Sequence, residues 1–141
     1  MPQVTTLTGE FPFVFLGGTC AGPDWRQDLI PRLTVDYFNP LVENWTPEDA
    51  RKETLAKYRA TANIFVITPH AIGSYSIAEM TELAVQGHRL IAYFHEDESA
   101  RWNDHQRKSN KAISELLISH GAKVVDSLDA VIEMANRFRS R

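Results

Sequence analysis

An α/β fold on a parallel sheet is what this 141-residue sequence predicts, and three observations carry the expectation. Five short runs rich in β-branched and aromatic residues recur along the chain: FVFLG (13–17), TVDYF (34–38), IFVIT (64–68), LIAYF (90–94) and AKVVD (122–126). Their near-continuous apolar character is that of strands covered on both faces. Segments with helical spacing separate them, and strands alternating with helices mean βαβ units, parallel pairing and right-handed crossovers. At this length and with 43% apolar residues, the expectation is one doubly wound domain over residues 1–141, a five-stranded parallel sheet flanked by helices.

The elements follow in order. The first strand runs into Gly17-Gly18, and the helix in DWRQDLIPRL must kink or end at Pro31. Asn39-Pro40 reads as turn chemistry closing the second strand, and Trp45 as a core aromatic. Thr46-Pro47-Glu48-Asp49 opens a helix with a cap, a proline at its first position and acids in its first turn. Leu55, Tyr58 and Ala62 are its expected inner face. A third helix is expected from Ser76 to Gln86, ended by Gly87 as a left-handed C-terminal residue. The charged stretch HEDESARWNDHQRKSN (95–110) is longer than most connections and reads as a mobile loop. Ile113, Leu116 and Leu117 are expected to face inward on a fourth helix that stops at Gly121. Leu128, Val131, Ile132, Ala135 and Phe138 keep helical spacing on the last.

Charge and composition narrow the function classes. A net charge of −3, from 15 basic and 18 acidic residues in mixed order, gives no general attraction to a nucleic acid polymer or an anionic membrane. One cysteine, Cys20, precludes an internal disulfide framework and fits a reducing compartment. No apolar run approaches the roughly 20 residues of a membrane span, and MPQVTTLTGE lacks a basic region followed by an apolar one. The expected location is cytoplasmic. His70, His88, His95, His105 and His120 have neither the spacing nor the company of a metal site, so no metal is expected.

In an open parallel sheet, ligands bind outside the carboxyl ends of the strands. Three loops should open there: GGTCAGPDWR (17–26), NPLVENW (39–45) and PHAIGSYSIAE (69–79). Gly17 and Gly18 would let the backbone approach a ligand, and the following helix end, with Arg26 near it, would hold an anion; the pair also reads as a plain tight turn. Neither G-x-G-x-x-G nor G-K-[ST] is present, which argues against a dinucleotide fingerprint and a Walker loop. Cys20 has no histidine placed to make it a nucleophile. Glu79 carries two readings. With Ser76 it forms S-x-x-E, a capping box; and a carboxylate in the first helical turn, kept ionised by the positive helix end, is equally suited to attack.

Three motifs taken together, FLGGTCAGPDWRQDLIPRL, DYFNPLVENW and FVITPHAIGSYSIAEMTEL, resemble the nucleoside 2-deoxyribosyltransferase-like family over about residues 13–83. The resemblance implies a flavodoxin-like domain that cleaves or exchanges the N-glycosidic bond of a nucleoside or nucleotide, with no cofactor. It assigns the nucleophile to Glu79 and lays Gly17, Gly18, Asp24 and Arg26 against sugar and base, with Asp24 as the proton donor to the leaving base. Asn39 borders the pocket. Tyr75 and His70 stand in for the family's positioning tyrosine and aspartate, and Ser74 and Ser76 would serve a 5'-phosphate or cap the helix. The chemistry is then a retaining double displacement through a glycosyl ester on Glu79. Interception by a second base makes a transferase, and by water a hydrolase such as a nucleoside 5'-monophosphate N-glycosidase. A nucleotide-binding sensor without turnover and an NAD-cleaving domain are the alternatives. Relatives assemble as dimers or larger oligomers, so a homo-oligomer is expected, with Trp102 and the last helix as candidate contacts.

Overall fold

The computed structural model describes residue 3 and residues 12–138. Its sheet has five parallel strands in the order β2-β1-β3-β4-β5: β1 Phe13–Gly18, β2 Asp36–Phe38, β3 Ala62–Ile67, β4 Leu90–Phe94 and β5 Lys123–Val125. Between and after them lie α1 Trp25–Leu29, α2 Pro47–Arg59, α3 Ser74–Val85, α4 Asp104–Ser119 and α5 Leu128–Asn136. The strand order reverses between β1 and β3, which makes the carboxyl ends of those two strands the ligand crevice of such a sheet.

Alternation along the buried strands divides the core in two. Val14, Leu16, Ile64, Val66 and Ile91 point to the face covered by α1 and α5, where Trp25, Leu29, Val131, Ile132 and Ala135 pack. Phe13, Phe15, Phe65, Ile67 and Ala92 point to the opposite face, where α2, α3 and α4 supply Ala56, Met80, Leu83, Ala84 and Leu117. Pro31 ends α1 as expected, in a 3-10 turn over Ile30–Arg32. Thr46 caps α2 through a reciprocal pair with Asp49.

The structure corrects five of the expectations. Leu55 and Tyr58 are 44% and 38% exposed, and Ala62 begins β3; α2 instead buries Ala56 and Lys57. Ala56 packs in one cluster with Phe15 and Phe65, and that close-packed contact sets the rotation of α2. Leu116 is exposed, because α4 presents only a narrow stripe in which Leu117 is buried and Ile113 packs against the core. Residues 104–110 of the supposed mobile loop are the first turns of α4. Asn103 accepts from the Gln106 backbone N–H at 2.8 Å, and the Gln106 side chain accepts from the Asn103 N–H at 2.9 Å. Trp102 meets Phe94 edge-on and packs against the core. Trp45, expected in the core, is 60% exposed. No helix among the described residues is long and apolar enough to cross a membrane.

Candidate active site

A cavity of about 350 Å³ opens at the carboxyl ends of β1 and β3, within the range of small-molecule sites. Backbone and side chains of Phe15, Gly17, Gly18 and Arg26 form one wall, Pro40, Leu41, Val42 and Trp45 another, and Glu53, Tyr75, Ser76 and Glu79 the third. The two glycines are needed there for a reason other than ligand approach. A Cβ on Gly17 would lie 2.5 Å from the Phe65 ring, and one on Gly18, at φ 122°, would lie 2.2 Å from the Val66 carbonyl oxygen. Close pairing of β1 with β3 thus leaves only backbone at these two positions of the wall.

Arg26 is 1% exposed and braces the end of β1. Its Nε and Nη2 donate to the Leu16 carbonyl at 3.1 and 3.0 Å, and its Nη1 donates to the Thr19 carbonyl at 3.2 Å. Burial pushes its pKa down, and the charges of Cys20 and Asp24 partly offset this. Asp24, 3.5 Å from the guanidinium, is the N-cap of α1 and accepts from the Arg26 backbone N–H. Both of its interactions are structural, and it is not among the residues lining the cavity.

Glu79 is not in a capping box. The helix begins two residues earlier than expected, at Ser74, with Gly73 as N-cap in the left-handed region at φ 71° and no side-chain cap. Glu79 is therefore the sixth residue of α3, beyond the first turn, and its partner comes from another helix. The Lys57 ammonium donates to Glu79 Oε2 at 3.0 Å, with the two side chains only 8% and 10% exposed. Burial pushes Lys57 down, but the hydrogen bond and charge of Glu79 outweigh that, and the ammonium is held above the ordinary lysine value. Beside them, Glu53 is pushed up, first by burial and then by the Glu79 charge, against smaller opposing pulls from Lys57 and Arg26. The cavity thus holds one paired carboxylate and one carboxyl that keeps its proton more tightly than usual. A carboxylate aimed by an ammonium beside a second carboxyl that burial holds protonated more tightly is the material of nucleophilic and acid–base chemistry.

Of the residues singled out from the sequence, Gly17, Gly18, Arg26, Tyr75, Ser76 and Glu79 meet at this cavity, and Cys20, weighed there only as a loop thiol, lines it too. Ser74 is exposed at the start of α3. Asn39 lines a smaller neighbouring cavity of about 170 Å³ that shares Pro40 and Val42, and its Oδ1 accepts from the Leu41 N–H. His70 sits against Gly22 in the β1–α1 loop and 3.3 Å from Ser99 Oγ. Ser99 in turn donates to Asp97, whose carboxylate the Ser99 side-chain and backbone hydrogen bonds hold at about 2. That network ties three loops together beside the cavity. Glu53 and Lys57 carried no signal in the sequence, and Trp45, at the end of the 39–45 loop expected on this edge, lines the cavity instead of the core. E-x-x-x-K at 53–57 looks like an exposed i,i+4 pair, and only the rotation of α2 turns it inward. Among the described residues no cluster of three or more metal-ligating side chains occurs.

A family model described as nucleoside 2-deoxyribosyltransferase like matches residues 12–97, a span that includes Glu53, Lys57 and Glu79. Among solved structures, a conserved protein from Enterococcus faecalis V583 is similar at a TM-score of 0.56 and 15% identity, over 91% of this chain and 99% of that one. Identity that low bears on the fold, which the two share. No curated protein matches the chain.

Proposed function

The chain belongs to the nucleoside 2-deoxyribosyltransferase-like family, which binds nucleosides, and from that premise we propose that it breaks the N-glycosidic bond of a nucleoside or nucleotide through a glycosyl ester on Glu79. The observation that carries this reading is the Glu79 carboxylate in the cavity wall, oriented by the Lys57 ammonium at 3.0 Å. A nucleophilic carboxylate must be aimed, and the hydrogen-bonded ammonium aims this one. As Glu79 Oε attacks the anomeric carbon, the sugar passes through an oxocarbenium-like transition state and the base departs with the glycosidic electron pair. A proton on the base makes it a better leaving group. Glu53 is the better-suited donor, since it lines the cavity and burial favours its protonated form, whereas Asp24 is held as a helix cap. Phe15, Leu41, Val42, Trp45 and Tyr75 offer apolar surface for a flat heterocycle. A second base or water then takes the sugar from Glu79.

One observation favours a nucleotide substrate. Gly73 gives α3 no side-chain cap, so the first-turn amides, with the Ser76 hydroxyl at the cavity wall, are open to a 5'-phosphate. The exposed Leu41, Val42, Trp45, Ile72 and Tyr75 support a homodimer or larger assembly in which a second copy covers the cavity mouth, and sedimentation as a monomer at micromolar concentration would count against it.

The test is chromatography of the protein with nucleosides, deoxynucleosides and their 5'-monophosphates, with and without an added free base. A new nucleoside identifies transfer and free base identifies hydrolysis; both are expected to vanish in Glu79→Ala. Turnover at the wild-type rate in that variant refutes the nucleophile. Ligand-induced thermal shifts without turnover would identify a binding module instead.

A further inference from the structure

We propose that Lys57 is a positioning residue that changes partners during the reaction, holding the Glu79 carboxylate before attack and the Glu53 carboxylate after it; this deepens the reading of Glu79 as nucleophile and rests on it. One ammonium is bonded to the Glu79 carboxylate, and its charge also reaches the Glu53 carboxyl at the same cavity. Lys57 Nζ lies 3.0 Å from Glu79 Oε2 on α3. Glu53 sits one turn before Lys57 on α2, and its side chain lines the same cavity as Glu79. Residues four apart on a helix are neighbours on one face, so a rotation of the lysine stem brings Nζ from one carboxyl to the other. The backbone stays fixed meanwhile. Fully buried Asn63 on β3 donates from Nδ2 to the Lys57 carbonyl at 3.1 Å, and Tyr58 donates to Glu82, tying α2 to α3.

Charge bookkeeping gives the exchange its driving force. In the resting site the negative charge is on Glu79, while Glu53 is held up by burial and by Glu79; the other charges it feels are Lys57 on its own helix and Arg26 on α1. Attack uses an oxygen lone pair of Glu79 to form the bond to the anomeric carbon. The C–N pair leaves on the base, and the Glu53 proton goes to the base nitrogen. Glu79 is then a neutral ester and Glu53 an anion, with the net charge of the site unchanged. An ammonium as little exposed as Lys57 is unfavourable when left unpaired, so it follows the charge. In the second half, the oxygen of water or a nitrogen of the incoming base bonds to the anomeric carbon and gives its proton to Glu53, the ester bond breaks with its electrons returning to Glu79, and Lys57 returns with them.

Glu79→Gln is nearly isosteric and uncharged, so it stands in for the ester. Titration of the Glu53 side chain by carbon-13 NMR is compared in wild type, Glu79→Gln, Lys57→Met and the double variant. Loss of the Glu79 charge lowers the Glu53 midpoint in either background. Partner exchange adds a further drop of about one pH unit or more, and only where Lys57 is present. Equal drops in both backgrounds overturn the proposal. The readout needs no turnover, so it stands apart from the nucleoside panel: a silent panel defeats the nucleophile, whereas equal drops defeat the exchange. If Lys57→Met does not fold, a crystal structure of Glu79→Gln decides. The Lys57 ammonium within hydrogen-bond distance of Glu53 supports the exchange, and the ammonium still on the amide at position 79 overturns it.

Discussion

Replacing Lys57 with methionine keeps the length and apolar stem of the side chain and removes only its charge, leaving the Glu79 carboxylate without a counter-ion beside Glu53. At 3.0 Å and an effective dielectric constant of about 20, the lost attraction is roughly 5 kcal/mol. Relief of the lysine's own desolvation offsets part of that, and removing one member of a fully buried pair typically costs about 3–5 kcal/mol. Because Glu79 borders an open cavity that admits water, the lower end applies, about 2–3 kcal/mol. For a chain of this size that corresponds to a fall in Tm of roughly 6–9 °C at pH 7. Adding Glu79→Gln should restore most of it, since the uncompensated charge is then gone. The sign with pH is also fixed. In wild type the folded state raises the Lys57 pKa, so the pair's contribution is fully present below the ordinary lysine value and is lost as pH rises through the higher folded value. In Lys57→Met the deficit instead shrinks under acid, as protonation neutralises the stranded carboxylate. Calorimetry of the single and double variants across pH 4–9 measures the deficit and its decline under acid, and wild-type melts carried above pH 10.5 read the loss of the pair. A single variant within 2 °C of wild type at pH 7, or a double variant no more stable than the single, refutes the account of a buried, mutually dependent pair.

Glu53→Gln should raise Tm at pH 7–8 while lowering turnover. The folded state raises the Glu53 pKa, so its contribution favours folding below the ordinary glutamate value and is lost as pH rises through the folded one; thermal melts that show destabilisation instead would contradict the burial argument. Trp45→Ala should leave Tm nearly unchanged, since the ring is mostly exposed, yet weaken nucleoside binding by about 1–3 kcal/mol if the indole stacks on the base; isothermal titration with an unaltered Kd would remove Trp45 from the site. Gly18→Ala forces a Cβ to 2.2 Å from the Val66 carbonyl at a positive φ, and should cost about 3 kcal/mol or more, with a soluble variant of wild-type stability as the contrary result.

Composition and pattern alone were enough for the sheet and for the edge on which the cavity opens. Five apolar runs, each bounded by turn formers, correspond to the five strands within two residues at each end, because a strand buried on both faces is recognisable from its own composition. Alternation with helices was enough for parallel pairing, and the parallel sheet sends the loops after β1 and β3 to one edge. Glu79 stood out from local pattern and resemblance together. Its surroundings did not. Where α3 starts depended on Gly73 taking a left-handed conformation as the chain leaves β3, and S-x-x-E was a capping signal two residues too late. The face that α2 turns inward depended on the rings of Phe15 and Phe65 beneath Ala56, which lie far away in the chain. Periodicity ranks side chains by type, and by type Leu55 and Tyr58 outrank Lys57. Only the packed structure reverses that order, because an ammonium 22 residues from its carboxylate becomes cheap to bury once folding brings the two to 3.0 Å.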